Sequence, residues 1–88
     1  MKIQLFTQKN CPKCPTAKET VREIKTERSV DVAEFDVDTV DGMAEAAYYG
    51  IMSTPSLVLV DQEGEEVISW RGIPPEKSKI LTLLDANN

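Results

Sequence analysis

The 88-residue chain contains no histidine. That excludes from the chain itself every mechanism built on an imidazole, including Ser-His and Cys-His catalysis and His-ligated metals. Cysteine is almost as scarce. Cys11 and Cys14 are the only two, too few for a disulfide scaffold and too close together to join distant parts of a fold. Positive charge is in deficit, with ten Lys and Arg against fifteen Asp and Glu and a net charge of −5. A broad nucleic-acid footprint, which relies on clustered cations, is therefore not expected. No apolar run approaches the roughly 18 residues needed to cross a bilayer, and Met1-Lys2-Ile3-Gln4 does not open like a signal peptide. Neither a membrane nor a nucleic acid is an expected partner, and the cytoplasm is the expected location. There is no internal repeat, linker or biased segment.

What remains is ordinary globular material, 41% hydrophobic and 28% charged. The length fits one small domain over residues 1–88, since such chains bury only about 60–65% of their unfolded surface and cannot sustain two cores.

The hydrophobic pattern alternates between strand and helix. Lys2 to Thr7 reads as a strand, with Ile3 and Leu5 opposite Gln4 and Phe6. From about Cys11 to Arg28 the period turns helical. Cys14, Ala17, Val21 and Ile24 form one stripe, and Lys18, Glu19, Arg22, Glu23 and Glu27 form a solvated face. Pro12 and Pro15 fit only near the helix start, where no intrahelical amide bond is lost. Val30 to Val37 reads as a second strand. Asp38 or Asp41 could cap a short helix that reaches Tyr49 and stops at Gly50. Leu57-Val58-Leu59-Val60 is apolar without interruption, as in a strand buried on both faces. The turn residues Asp61 to Gly64 then lead into a strand from Glu66 to Arg71, a hairpin. Pro75 can open a last helix with Ile80, Leu81 and Leu84 facing the core. The order is βαβαββα, an α/β arrangement with a mixed four-stranded sheet flanked by helices. The first βαβ unit joins parallel strands through a right-handed crossover, and the hairpin is antiparallel.

Cys11-Pro12-Lys13-Cys14 carries the chemistry. It follows the first strand and opens the first helix, and a Cys-x-x-Cys in that place is a redox signature. One helical turn brings residues i and i+3 together, so the two sulfurs can bond with little backbone movement. Free amides and the positive end of the dipole at a helix start favour a thiolate, and the thiolate is the attacking species in disulfide exchange. A free thiol of pKa about 8.5 is about 3% ionised at pH 7, and one lowered to about 7 is roughly half ionised. Cys14 shares the inward stripe while Cys11 sits at the tip. Cys11 is therefore assigned as the nucleophile and Cys14 as the resolving thiol. Lys9 and Lys13 add positive charge beside the pair.

A strand, then Cys11-Pro12-Lys13-Cys14 at a helix start, then Thr54-Pro55 just before a strand, resembles the thioredoxin fold over essentially the whole chain. More narrowly it is similar to the short thioredoxin-like and glutaredoxin-like redoxins. The resemblance implies a cis bond at Pro55, packed beside the cysteines. It also implies a Thr54 backbone that meets an extended substrate, and a groove lined by Pro12, Lys13, Ile51, Thr54, Pro55, Gly72 and Ile73. The implied activity is reduction of protein disulfides without a bound cofactor. The chain would act as a monomer served by a thioredoxin-reductase-type or other dithiol reductant.

The subtype is mixed. Thioredoxins usually place Trp before the first cysteine and Gly-Pro between the pair, where this chain has Asn10 and Pro12-Lys13. They also bury an acid six residues before the first cysteine, a position held here by Leu5. Glutaredoxins favour an aromatic residue at the position of Lys13. They also hold glutathione with a Gly-Gly and acidic motif, which Trp70 to Glu76 does not reproduce. That stretch resembles the glutaredoxin-like redoxins that serve ribonucleotide reductase. Three alternatives stay open: a glutathione-dependent glutaredoxin, a dimer that holds zinc or an iron–sulfur cluster between two Cys-x-x-Cys pairs, and a folded adaptor whose cysteines are vestigial. Within one chain two sulfurs fall short of the four ligands of a closed zinc site.

Overall fold

A computed structural model describes residues 1–86. The chain runs β1 (Lys2–Thr7), α1 (Cys14–Glu27), β2 (Asp31–Asp36), α2 (Val40–Tyr49), β3 (Ser56–Val60), β4 (Glu66–Arg71) and α3 (Lys77–Ala86). The four strands form one sheet in the order β2-β1-β3-β4. β1 pairs parallel with β2 and antiparallel with β3, and β3 pairs antiparallel with β4. Element order, mixed sheet and hairpin are those expected from the sequence.

The central strands are covered on both faces. Ile3 and Leu5 of β1, with Leu57 and Leu59 of β3, pack against Ala17, Val21 and Ile24 of α1 and Ile80 and Leu84 of α3. Phe6, Val58 and Val60 pack on the opposite side against Ala46 of α2. Phe35 of β2 stacks on Phe6 there, with ring centroids 5.5 Å apart. Alternation in β1 predicted one apolar face, but every residue from Ile3 to Thr7 is buried, because β1 is an inner strand between two helical layers.

Strand β2 is one residue shorter at each end than the expected Val30 to Val37, and the three helix starts differ from expectation. Helix α1 begins at Cys14 rather than Cys11. Lys13 is its N-cap and Pro15 lies in the first turn, so Cys11 and Pro12 belong to the preceding loop. Helix α2 is capped by Thr39, not by Asp38 or Asp41. Thr39 is extended, and its hydroxyl accepts from the Gly42 amide at 3.0 Å. Helix α3 begins two residues after Pro75, which is itself buried; the Glu76 carbonyl accepts from Ile80. Leu81 is half-buried and packs at the edge of the core formed by Ile80 and Leu84. Gly50 ends α2 in the left-handed region, as expected.

Helices α1 and α3 are also tied at their surfaces. Arg28, just beyond α1, makes a bidentate pair with Asp85 at 2.6 and 2.9 Å. Lys77 pairs with Glu23 at 3.1 Å and with Glu27.

Candidate active site

Strand register gathers the site. Thr7 pairs with Asp36, Phe6 with Ser56, and Ser56 with Arg71. The C-terminal ends of β1, β2 and β4 therefore meet the N-terminal end of β3 at one pole of the sheet. The segments leaving that pole carry residues 8–13, 37–39, 51–55 and 72–76. Every site residue named from the sequence falls at this pole: Cys11, Pro12, Lys13 and Cys14 from the first segment and the helix it opens, Ile51, Thr54 and Pro55 from the third, and Gly72 and Ile73 from the fourth.

Cys11 and Cys14 are joined as a disulfide with their Cα atoms 5.4 Å apart. The Cys14 amide donates to the Cys11 carbonyl at 3.3 Å, closing the turn. The two cysteines differ in surroundings. Cys14 begins α1 on the buried stripe and is 3% exposed, whereas Cys11 lies outside the helix and is partly exposed. Asn10, just before it, has φ 61°. Among residues with a Cβ, Asn is one of the few that take up this left-handed backbone readily.

The Thr54–Pro55 bond is cis and Pro55 is buried. Its carbonyl accepts from the Gly72 amide at 2.9 Å. Ser56 Oγ donates to the Ser53 carbonyl at 2.7 Å and accepts from the same Gly72 amide at 3.3 Å. Gly72 has φ 77°, and a Cβ there would stand 2.8 Å from Ser53 Oγ. Met52 and Ile73 project outward at 94% and 51% exposure.

Two residues that the sequence pattern does not single out brace this pole. Gln8 accepts from Thr54 Oγ1 at 3.5 Å and donates through Nε2 to Asp38 Oδ1 at 3.1 Å, so one side chain reaches two neighbouring segments. Arg71 donates through Nη1 to the carbonyls of Tyr49 and Gly50 at 3.0 and 3.1 Å and pairs through Nη2 with Glu66 at 2.8 Å. It fixes the end of α2, from which the Pro55 segment departs. In sequence both read as ordinary exposed polar residues, and no spacing marks them.

Leu5, at the position of the acid that thioredoxins bury, is part of the core beneath α1. Among the described residues, no group of three or more His, Cys, Asp or Glu is placed to hold a metal ion. No helix among them is long and apolar enough to cross a membrane.

A redox-active cysteine pair at the start of α1, at the same pole of the sheet as a cis proline that leads into an inner antiparallel strand, defines a thioredoxin-fold redox protein. A family model described as a thioredoxin domain matches residues 1–85, and the chain belongs to that family. A probable thioredoxin of Archaeoglobus fulgidus is 37% identical over 60 residues, which span 68% of this chain and 66% of the relative. A thioredoxin of Methanocaldococcus jannaschii is 37% identical over 59 residues, which span 67% of this chain and 69% of the relative. Thioredoxin 1 of Thermosipho africanus shares the fold, with a TM-score of 0.78 at 18% identity over 99% of this chain and 93% of that one. A mutant thioredoxin of Halobacterium salinarum gives a TM-score of 0.78 at 26% identity over 96% of this chain and 71% of that one. The protein is a thiol–disulfide oxidoreductase that acts by dithiol exchange.

Proposed function

We propose that the protein reduces disulfides of other proteins, with Cys11 as nucleophile and Cys14 as resolving thiol. The observation that carries this reading is the unequal exposure of the pair, with Cys14 buried and Cys11 partly open. In the reduced protein the Cys11 thiolate attacks one sulfur of the substrate disulfide. A mixed disulfide forms, and the other substrate sulfur leaves as a thiolate that takes a proton from water. Cys14 then loses its proton and attacks Cys11 Sγ. The second substrate sulfur leaves, and the Cys11–Cys14 disulfide is restored. Two electrons have passed from the protein to the substrate, and a dithiol reductant of the thioredoxin-reductase type returns them.

No bound cofactor enters this cycle. Pro12, Lys13, Ile51, Thr54, Pro55, Gly72 and Ile73 form the groove, and the half-buried Thr54 offers its backbone to an extended segment of the substrate. Residues 1–88 act as one unit, as a monomer in the cytoplasm. The test is trapping with Cys14→Ser. Mixed disulfides with target proteins should accumulate on Cys11 and disappear in the double variant with Cys11→Ser. An equal yield of adducts from Cys11→Ser alone would reverse the assignment.

A further inference from the structure

Six ion pairs occupy Lys18, Arg22, Arg28, Arg71 and Lys77 among the described residues. The remaining cations are Lys2, Lys9, Lys13, Lys25 and Lys79. Two of these five, Lys9 and Lys13, stand two residues on either side of Cys11, and both are exposed. Asp38, on the adjoining turn, takes the Gln8 amide rather than a lysine. These two lysines therefore bracket the nucleophile, whereas Met52 and Ile73 form an apolar rim on the segments that flank Pro55 and Gly72. A chain with net charge −5 repels acidic partners at long range. A local basic pair is thus what would admit and orient one at contact.

We propose that Lys9 and Lys13 set the substrate class of this site, selecting disulfides that lie in acidic segments of partner proteins. The inference rests on the disulfide-reductase reading above. An acidic residue next to the substrate cysteine meets the two ammonium groups, while an apolar residue further along the extended segment covers Met52 and Ile73. Selection acts on association, before the exchange step, so it is separable from the intrinsic reactivity of Cys11.

The experiment mixes the reduced protein with three disulfides and follows oxidation of the Cys11–Cys14 pair after acid quenching. Two are matched extended peptides carrying Glu or Lys beside the same cysteine, and the third is neutral 2-hydroxyethyl disulfide. At low salt the Glu peptide should react faster than the Lys peptide. Each lysine speeds the Glu peptide and slows the Lys peptide by roughly threefold at a separation of about 6 Å in water, and so contributes roughly tenfold to that ratio. In Lys9→Glu/Lys13→Glu the ratio should fall to one or invert. About 1 M salt, with a Debye length of about 3 Å, should level it in the unmodified protein. Lys25→Glu, which changes the net charge away from the site, should leave the ratio standing. Rates with the neutral disulfide correct for any change in Cys11 reactivity. A ratio near one in the unmodified protein overturns the proposal, as does a ratio that survives the double reversal or collapses equally in Lys25→Glu. Failure to reduce any of the three disulfides overturns the reductase reading itself, and the preference with it.

Discussion

The Gly72 amide donates to the Pro55 carbonyl at 2.9 Å and ties the end of β4 to the segment that enters β3. A side chain at Gly72 would crowd the Ser53 hydroxyl and strain the backbone. A Cβ on Gly72 would lie 2.8 Å from Ser53 Oγ, and φ there is 77°. Gly72→Ala should therefore destabilise the fold by about 1–2 kcal/mol. It should also slow reaction with peptide disulfides more than with 2-hydroxyethyl disulfide, because the wall moves and the cysteines do not. Pairing it with Ser53→Gly removes the clash and leaves the unfavourable φ, so stability should return only in part. Urea unfolding of the two variants checks this, and complete recovery in the double variant would contradict it.

The asymmetry of the cysteine pair predicts a rate difference. In the reduced protein at pH 7, iodoacetamide should label Cys11 far faster than Cys14. Cys11 is open and preceded by a loop, and burial disfavours the thiolate of Cys14. Cys11→Ser should abolish attack on a disulfide, and Cys14→Ser should attack once and stall. Mass spectrometry of timed samples separates the two sites, and equal labelling rates would overturn the order of the thiols.

The segment from Trp70 to Glu76 has a single glycine and turns at Gly72 against Ser53. It offers no pair of glycines with an acid to grip a glutathione backbone. Excess glutathione should reduce the disulfide slowly, and a thioredoxin reductase with NADPH should do so faster. Rapid turnover of a glutathione mixed disulfide would favour a glutaredoxin instead.

Gly42 is required by space, not by backbone angle. It lies in the first turn of α2, and a Cβ would fall 1.8 Å from the Asp36 carbonyl oxygen at the end of β2. Gly42→Ala must push α2 off β2 and should cost more than about 2 kcal/mol, in the range of severe overpacking. Thr39→Ala removes only the cap and should cost about 1 kcal/mol. Thermal melts of the two variants should rank them in that order, although alanine is the better helix former.

The Arg28–Asp85 pair joins the end of α1 to α3. Hydrogen bonding and charge from Arg28 hold the Asp85 carboxyl below its ordinary value. A carboxyl depressed in the folded state contributes stability above its unfolded pKa, about 3.9, and loses it as pH falls through the folded value. Asp85→Asn should therefore be less stable than the parent at neutral pH, and the gap should close below about pH 4. The pair is exposed, so high salt should narrow the gap as well. A gap that persists at low pH would show that Asp85 acts through packing rather than charge.

Much of this molecule follows from local pattern. The stripe Cys14, Ala17, Val21, Ile24 is a property of helical period, so the inward turn of Cys14 and the outward place of Cys11 were legible before any fold was known. The uninterrupted apolar run from Leu57 to Val60 identified an inner strand for the same reason, and Gly50 and Gly64 marked their turns. Local pattern was weaker where residues compete for one role. Thr39, Asp38 and Asp41 are all good caps, and only the extended backbone at Thr39 decides among them. Gln4 and Thr7 look like the polar face of a half-buried strand. They are buried because β1 is an inner strand covered by helices on both faces. Gln8 and Arg71 owe their importance to partners 21 to 46 residues away, a distance that no spacing rule spans. The sequence by itself determined the elements, the redox pair and which cysteine faces the core, since these rest on period, charge and turn chemistry within a few residues. Tertiary structure alone decided that the cysteine loop, the Pro55 segment and the Gly72 turn share one pole, because strand order and register are set by burying both faces of β1 and β3 at once.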